Sequence, residues 1–161
     1  MQTMADPGFA GRVRASFERQ NAMRLIRASL SAIGRGRVEI HLPYWSDITQ
    51  QHGFVHGGIV GMIADSAAGY AAMTVAPEDT SVLTVEFKMN LLAPANGEAL
   101  VAKGEVVRPG RTLIVTKAEV FALRNGKERL CALMQQTIMV MPGKEEKASS
   151  QEQAWPGCET D

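Results

Sequence analysis

The sequence predicts an α+β domain in which a curved antiparallel sheet wraps around one long central helix. The 161-residue chain is long enough for one domain with its own core, and it is short for two. Residues 56–76 form one run of small and apolar residues, and the segment after this run alternates apolar with polar residues. A sheet beside a single apolar helix is expected to curve around that helix and bury it.

The composition is that of an ordinary globular protein, with 45% hydrophobic residues, 21% charged residues and a formal net charge of zero. Seven arginines lie within the first 37 residues, and we interpret them as a solvated helical face rather than a surface for nucleic acid or membrane. Cys131 and Cys158 indicate no disulfide framework, and the N-terminus lacks a secretory signal. We therefore expect a cytoplasmic protein with no nucleic-acid or membrane partner.

Residues 8–33 are predicted to be helical, in two pieces that break near Gln20-Asn21. Apolar residues recur at spacings of three and four, but they form two stripes that face different sides of a single helix. The stripes consist of Phe9, Val13 and Phe17, and of Met23, Ile26, Leu30 and Ile33. The glycines of "GRGR" end the second piece, and the alternating stretch "VEIHL" after it predicts a half-buried strand.

The run over residues 56–76 predicts a buried helix, because it is rich in alanine and apolar or small on nearly every side. Pro77 closes it. Four strands are predicted to follow and to pair in order as an antiparallel meander, with Asn125-Gly126 as the hairpin signal between the last two. These strands are predicted within residues 81–92, 98–107, 112–123 and 128–140.

The chain is accordingly divided into three parts. Residues 1–37 form an N-terminal helical extension, and residues 38–142 form the domain that contains the sheet and the central helix. Residues 143–161 form a polar tail without apolar periodicity, which we expect to be disordered.

Asp65 is the only charged residue between Gly57 and Ala76. The residues three and four positions away on the helix offer it no cationic partner. Because an unpaired buried carboxylate is costly, we expect Asp65 to lie in a cleft or subunit interface and to have a chemical role there. The alternative is an ordinary carboxylate at the exposed end of a partly covered helix.

Gly57 and Gly58 begin the same helix. Backbone N–H groups in the first helical turn have no partner within the helix, and the helix dipole favours negative charge there. Glycines leave these donors open to a substrate carbonyl, so this turn can stabilise an oxyanion. The alternative is a helix start where glycine merely allows another backbone to pass closely.

Several other chemistries are disfavoured by the residues. His52 and His56 are four apart, but the HExxH pattern and an acidic third ligand are missing, so no metal is expected. No G-x-S-x-G surrounds Ser66, and Cys131 occupies the place of a packed strand residue. No phosphate-binding glycine motif is present. The chemistry is therefore assigned to a carboxylate, with no cofactor.

The stretch "QQHGFVHGGIVGMIADSAAGYAA", followed by "LTVEFKMNLLAPA" and "GRT", resembles the PaaI-like acyl-CoA thioesterases of the hotdog-fold superfamily. The resemblance covers roughly residues 34–141. It implies the hotdog fold, hydrolysis of an acyl-CoA to free acid and coenzyme A, and a homodimer whose two sheets join edge to edge. Two active sites would then lie at the subunit interface, and a dimer of dimers is also compatible with the strand pattern.

The resemblance also assigns catalytic roles by motif position. Asp65 is the nucleophile or general base, and the N–H of Gly57 from the other subunit polarises the carbonyl. His56 adjoins that glycine, and Thr84 matches a hydroxyl residue that helps to hold the water. Many relatives carry asparagine shortly before the H-G-G triplet. This chain has Gln50 and Gln51 there, whose longer side chains depart from the pattern.

Four further residues are expected to bind substrate. Gly58 and Ser66 flank the catalytic positions, and Arg108 and Arg111 supply positive charge for the phosphates of coenzyme A. Two alternatives to the thioesterase are a non-catalytic acyl-CoA sensor and a hotdog dehydratase or hydratase. The dehydratases and hydratases resemble this chain less, because they use a histidine paired with a carboxylate.

Overall fold

The computed structural model describes residues 8–142, so the predicted tail at 143–161 lies outside the described residues. Most of the predicted elements are present. Their bounds are α1 (Phe9–Arg19), α2 (Asn21–Leu25), β1 (Ser29–Gly34), β2 (Arg37–Pro43), a short 3-10 helix (Ser46–Ile48), α3 (Gly57–Met73), β3 (Thr80–Leu91), β4 (Ala99–Arg108), β5 (Leu113–Arg124) and β6 (Lys127–Pro142). No helix in this part of the chain is long and apolar enough to cross a membrane.

The strands form one antiparallel sheet in the order β1-β2-β4-β5-β6-β3, and α3 packs against its inner face. The predicted α+β class and the central buried helix are confirmed. Small residues set the distance between the two layers: Ala64, Ala67 and Ala68 have no exposed surface. A Cβ at Gly104 on β4 would lie 2.2 Å from the carbonyl oxygen of Ala67, so only glycine fits at this crossing.

The helical prediction for residues 8–33 is correct as far as Leu25, including the break at Gln20, but wrong for Ser29–Gly34. This segment is β1, and it pairs with β2 around a turn in which Gly36 has a φ of 75°. A bulge between Leu30 and Ala32 adds one residue to the strand. Leu30 and Ile33 therefore both pack against the core, at a spacing that otherwise indicates a helix. The sheet thus begins before residue 38.

The predicted meander is correct for β4, β5 and β6 and wrong for β3. That strand pairs with β6 rather than with β4 and forms one edge of the sheet. Asn125 and Gly126 have positive φ angles and make the predicted two-residue hairpin, but no such turn signal lies between β3 and β4. The connection over residues 92–98 instead leaves β4 free to pair with β2.

The N-terminal helix α1 packs against the C-terminal half of α3. The ring of Phe17 lies 5.8 Å from that of Tyr70, and the Ser16 hydroxyl lies 3.2 Å from the Tyr70 hydroxyl. The Arg12 guanidinium donates hydrogen bonds to the main-chain carbonyl groups of Met73 (2.5 Å), Ala76 (3.0 Å) and Pro77 (2.6 Å). Met73 is the last residue of α3, so Arg12 satisfies a carbonyl group that the helix end leaves without a helical partner and also binds the chain that follows.

We predict that Arg12→Met lowers the free energy of unfolding by about 1.5–3 kcal/mol, because these carbonyl groups lose a charged donor. Methionine keeps most of the aliphatic length of the side chain. Urea denaturation at a fixed protein concentration measures the change. Arg14→Met is the matched control, since Arg14 is exposed on the same helix, and it should alter stability by less than about 0.5 kcal/mol. Equal effects of the two substitutions would contradict the capping role.

Candidate active site

Asp65 lies half-buried on α3, and one oxygen of its carboxylate accepts two hydrogen bonds. The Thr84 hydroxyl donates to Oδ1 of Asp65 at 2.7 Å, and Nε2 of Gln136 donates to the same oxygen. Nε2 of Gln136 also donates to the Thr84 hydroxyl oxygen at 2.8 Å. The predicted catalytic carboxylate and the predicted hydroxyl residue are thus brought together, with a glutamine that the sequence analysis did not identify.

Thr84 reaches Asp65 because of an irregularity in β3. The register of β3 against β6 shifts between Thr84 and Glu86, which is a bulge of the kind found beside functional sites. Thr84 faces α3 at this point, while the following residue, Val85, lies at the exposed edge. The Thr84 hydroxyl donates its single proton to the Asp65 carboxylate, so Thr84 positions that carboxylate directly.

Gln136 was missed although the alternation of β6 contains a signal for it. The inward-facing residues of β6 are otherwise apolar, as Met134 and Ile138 show, and Gln136 occupies the position between these two with no exposed surface. A fully buried polar residue in an apolar row indicates a specific hydrogen-bonding partner. The register of β6 against α3, which identifies that partner, is set by the whole sheet.

A cleft of about 270 Å³ opens beside Asp65 between α3 and β3. Ser66, Gly69 and Tyr70 line it from α3, and Val82 and Leu83 line it from β3. Gln20, at the end of α1, also reaches this cleft, where the Ser66 hydroxyl donates to its side-chain oxygen at 3.4 Å. The predicted substrate residue Ser66 therefore shares the cleft with Asp65. Gln20 is a second residue that the sequence analysis missed, because only the docking of α1 brings it there.

The N-terminus of α3 is capped by His56. Its Nδ1 accepts a hydrogen bond of 2.9 Å from the N–H of Gly58, so in the neutral ring the proton is on Nε2. The N–H of Gly57 donates to no acceptor within residues 8–142. His56 thus accepts from the N–H of Gly58, the second donor of this turn, and leaves the N–H of Gly57, the first donor, available.

A second cleft, of about 360 Å³, lies at this end of α3. Gly57, Gln50 and Leu91 line it, and a Cβ at Gly57 would lie 3.0 Å from Cδ1 of Leu91. Gln50 also accepts a hydrogen bond from the N–H of His52 through its side-chain oxygen. Gln51 is exposed and lines neither cleft, so Gln50 is the amide that shares a cleft with Gly57.

Within one chain, the carboxylate and the open N–H group are far apart. Asp65 is eight positions after Gly57 on α3, which is about 12 Å along the helix axis. They also line different clefts. Neither cleft contains Arg108 or Arg111, which are exposed around the connection between β4 and β5. Their assignment to coenzyme A stays a prediction.

Cys131 is fully buried on β6, as the sequence analysis expected for a packed strand residue. Burial raises the pKa of its thiol, which disfavours the thiolate that a nucleophilic cysteine needs. Among residues 8–142, no three histidine, cysteine or acidic side chains lie close enough together to hold a metal ion.

Comparison with known proteins identifies the family of this chain. Residues 52–129 match the Thioesterase superfamily. A thioesterase family protein from Silicibacter pomeroyi has a crystal structure that superposes with a TM-score of 0.83 at 49% sequence identity. That match covers 84% of this chain and 100% of the other.

Two more distant relatives agree with this match. The PaaI protein of Escherichia coli superposes with a TM-score of 0.75 at 18% identity, over 84% of this chain and 94% of the other. At that identity the likeness shows the fold alone, and it confirms the hotdog architecture. A candidate esterase of Saccharolobus solfataricus is 36% identical over 85 residues, which are 53% of this chain. The match spans only 60% of that relative.

We predict that His56→Ala lowers the free energy of unfolding by about 1 kcal/mol, because the Gly58 N–H loses its acceptor. His56→Asn should keep most of the stability, since asparagine is among the best capping residues. His52→Ala, in the exposed loop before the helix, is the control and should have little effect. Chemical denaturation of the three variants measures this, and a stable His56→Ala protein would show that the cap is unimportant.

Proposed function

Because the chain belongs to the thioesterase superfamily, we propose that it hydrolyses an acyl-CoA thioester to the free acid and coenzyme A. Asp65 acts as nucleophile or general base, and the N–H of Gly57 of the partner subunit stabilises the oxyanion. The observation that carries the proposal is the carboxylate of Asp65, held through one oxygen beside an open cleft. The capped helix start with its unused Gly57 N–H supplies the complementary group.

The reaction has two forms that these residues can support. In the first, Asp65 takes a proton from water while the water oxygen bonds to the thioester carbonyl carbon, and the oxyanion faces the Gly57 N–H. The C–S bond then breaks, and the proton on Asp65 passes to the leaving sulfur. In the second, an Asp65 oxygen bonds to the carbonyl carbon, the thiolate leaves, and water hydrolyses the mixed anhydride.

The distance along α3 supports a site that two chains share. About 12 Å of helix separates Gly57 from Asp65, which is too far for one carbonyl to contact both groups in the same chain. A second copy can supply the missing donor. The proposed assembly is therefore a homodimer, alone or within a dimer of dimers.

The free edge of β3 supports the same assembly. Four large apolar side chains are exposed along this edge strand: Leu83, Val85, Phe87 and Leu91. A long apolar edge invites pairing with another strand, and two copies related by a two-fold axis would pair β3 with β3 in antiparallel fashion. Because Thr84 belongs to β3, such an interface would run beside the cleft that contains Asp65.

Two observations support coenzyme A as the carrier of the acyl group: the sequence resemblance and the positive charge of two exposed arginines. Arg108 and Arg111 are exposed and make no ion pair with another residue in 8–142, so their guanidinium groups are available to phosphates. The dehydratase alternative is less favoured, because the H-G-G-x₆-D arrangement of this chain resembles such enzymes less than it resembles the thioesterases. The non-catalytic sensor is an outcome of the next experiment.

We predict that the purified protein hydrolyses at least one member of a panel of aliphatic and aromatic acyl-CoAs, measured as release of free thiol. Asp65→Asn should lower kcat by about 10²-fold or more, because the amide can neither accept the proton nor attack. Asp79→Asn changes an exposed aspartate in the same way and should leave the rate unchanged. Equal rates for wild type and Asp65→Asn would refute the role of Asp65. Tight acyl-CoA binding without turnover would identify a sensor.

The shared site predicts that two inactive variants restore each other. Gly57→Pro removes the N–H at the first helical position, where proline is tolerated, and should lower kcat about 10²–10³-fold. Gly57→Ala adds a comparable contact with Leu91 but keeps the N–H, so it is the matched control. Co-expression of Gly57→Pro with Asp65→Asn gives hybrid dimers in which one of the two sites has both groups intact.

Random assembly should then restore about a quarter of the wild-type activity, because half of the dimers carry one intact site of two. Tagging each variant differently allows the hybrid to be isolated and assayed. If the hybrid is as inactive as its parents while wild type is active, the catalytic groups belong to the same chain and the shared site is wrong.

A further inference from the structure

We infer that Gln136 is the positioning residue for Asp65: it fixes Oδ1 of the carboxylate, so that Oδ2 is the oxygen that reacts. The inference rests on the proposed function and deepens it, because it names the reacting oxygen and the buried side chain that selects it. Gln136 contacts neither cleft, so it acts through Asp65 and not on the substrate.

The hydrogen bonds around Oδ1 use every available proton. The amide group of Gln136 has two N–H protons, of which one goes to Asp65 and the other to the Thr84 oxygen. The single hydroxyl proton of Thr84 then goes to Asp65. The opposite amide orientation would turn a carbonyl oxygen toward the carboxylate, so these contacts decide the orientation.

Both donors converge on the same carboxylate oxygen, and this distinguishes the two oxygens. Oδ1 accepts from Thr84 and Gln136, whereas Oδ2 accepts no hydrogen bond from any residue in 8–142. Asp65 also lines the open cleft, so the oxygen without a partner is the one left for water or a thioester. Oδ2 is therefore the oxygen available to take a proton or to attack.

Two donors from different elements are needed to hold the carboxylate plane. Thr84 lies on an edge strand at a bulge, and its hydroxyl alone would let the carboxylate rotate and exchange its oxygens. Gln136 lies on β6, between β5 and β3, with no exposed surface. Packing therefore restricts its rotamer, and its amide makes a second, fixed contact with the carboxylate.

A purely structural role explains Gln136 poorly. Its side-chain oxygen is buried without a partner, and so is the hydroxyl of Thr116, its cross-strand neighbour on β5. Buried polar atoms without partners lower stability, so an apolar residue of the same length would suit this core position better. The presence of a glutamine here fits a requirement for its two donors.

The experiment that tests the inference is Gln136→Met, which keeps the length of the side chain and removes both donors. We expect kcat to fall about 10²-fold, as for a catalytic group displaced by about 1 Å, while KM changes less than about threefold. The melting temperature should stay the same or rise. Gln135→Met is the matched control: Gln135 is the preceding residue of β6 and is exposed, so kcat should not change.

Two further variants separate positioning from a general structural effect. Gln136→Leu also removes both donors but leaves a shorter apolar side chain, so its kcat should fall at least as far as that of Gln136→Met. In the Asp65→Asn background, Gln136→Met should lower the residual rate no further, because a positioning residue acts only through its partner. An additional fall of the same size in that background would overturn the inference.

The remaining outcomes are also decisive. If Asp65→Asn is inactive but either Gln136 variant keeps the wild-type kcat, this inference is wrong and the proposed function stands. If Gln136→Met does not fold or melts well below the wild type, Gln136 serves stability, and the inference is overturned as well. If the wild type hydrolyses no acyl-CoA, the proposed function fails, and the inference fails with it.

Discussion

The close approach of α3 to the sheet is the constraint on which the rest of this structure depends. Gly104 on β4 lies so near the backbone of Ala67 that a Cβ would overlap it, and the alanines around Ala67 have no exposed surface. At this separation, a side chain as short as that of aspartate reaches the strands from the flank of the helix. A bulkier helix would lie farther from the sheet, and Asp65 could not accept hydrogen bonds from both β3 and β6.

The features that a local sequence pattern determines were predicted correctly. The small, apolar run after His56 predicts α3, and Asn125-Gly126 predicts the hairpin. The catalytic role of Asp65, the lone charge within that run, stays a prediction. The features that were missed depend on the register between distant segments. A bulge gives β1 an apolar spacing like that of a helix, and the partner of β3 is decided by which strand edges remain free. Gln136 is visible in sequence as a polar interruption of an apolar row, but its partner is known only when β6 is aligned with α3.

The position of Asp65 ties the proposed chemistry to the assembly of the protein. Asp65 lies where α3 faces the free edge of the sheet, beside a strand that exposes four large apolar side chains. An edge of this kind is unfavourable in an isolated chain. If a second copy covers it, the same contact that removes apolar surface from water also completes the site. Activity and association would then depend on one interface, and dilution would reduce both together.

The two ends of α3 have different hydrogen-bonding partners, and this difference suits the proposed reaction. At the C-terminal end, the Arg12 guanidinium binds three carbonyl groups and offsets the negative end of the helix dipole. At the N-terminal end, a neutral imidazole nitrogen of His56 accepts from Gly58 but brings no negative charge, so the positive end of the dipole is not offset. The N–H of Gly57 therefore keeps both an open position and a favourable field for an oxyanion. Helix α1 carries Arg12 and is followed directly by Gln20, which lines the Asp65 cleft. The docking of α1 therefore stabilises the end of α3 and also shapes the wall beside the carboxylate.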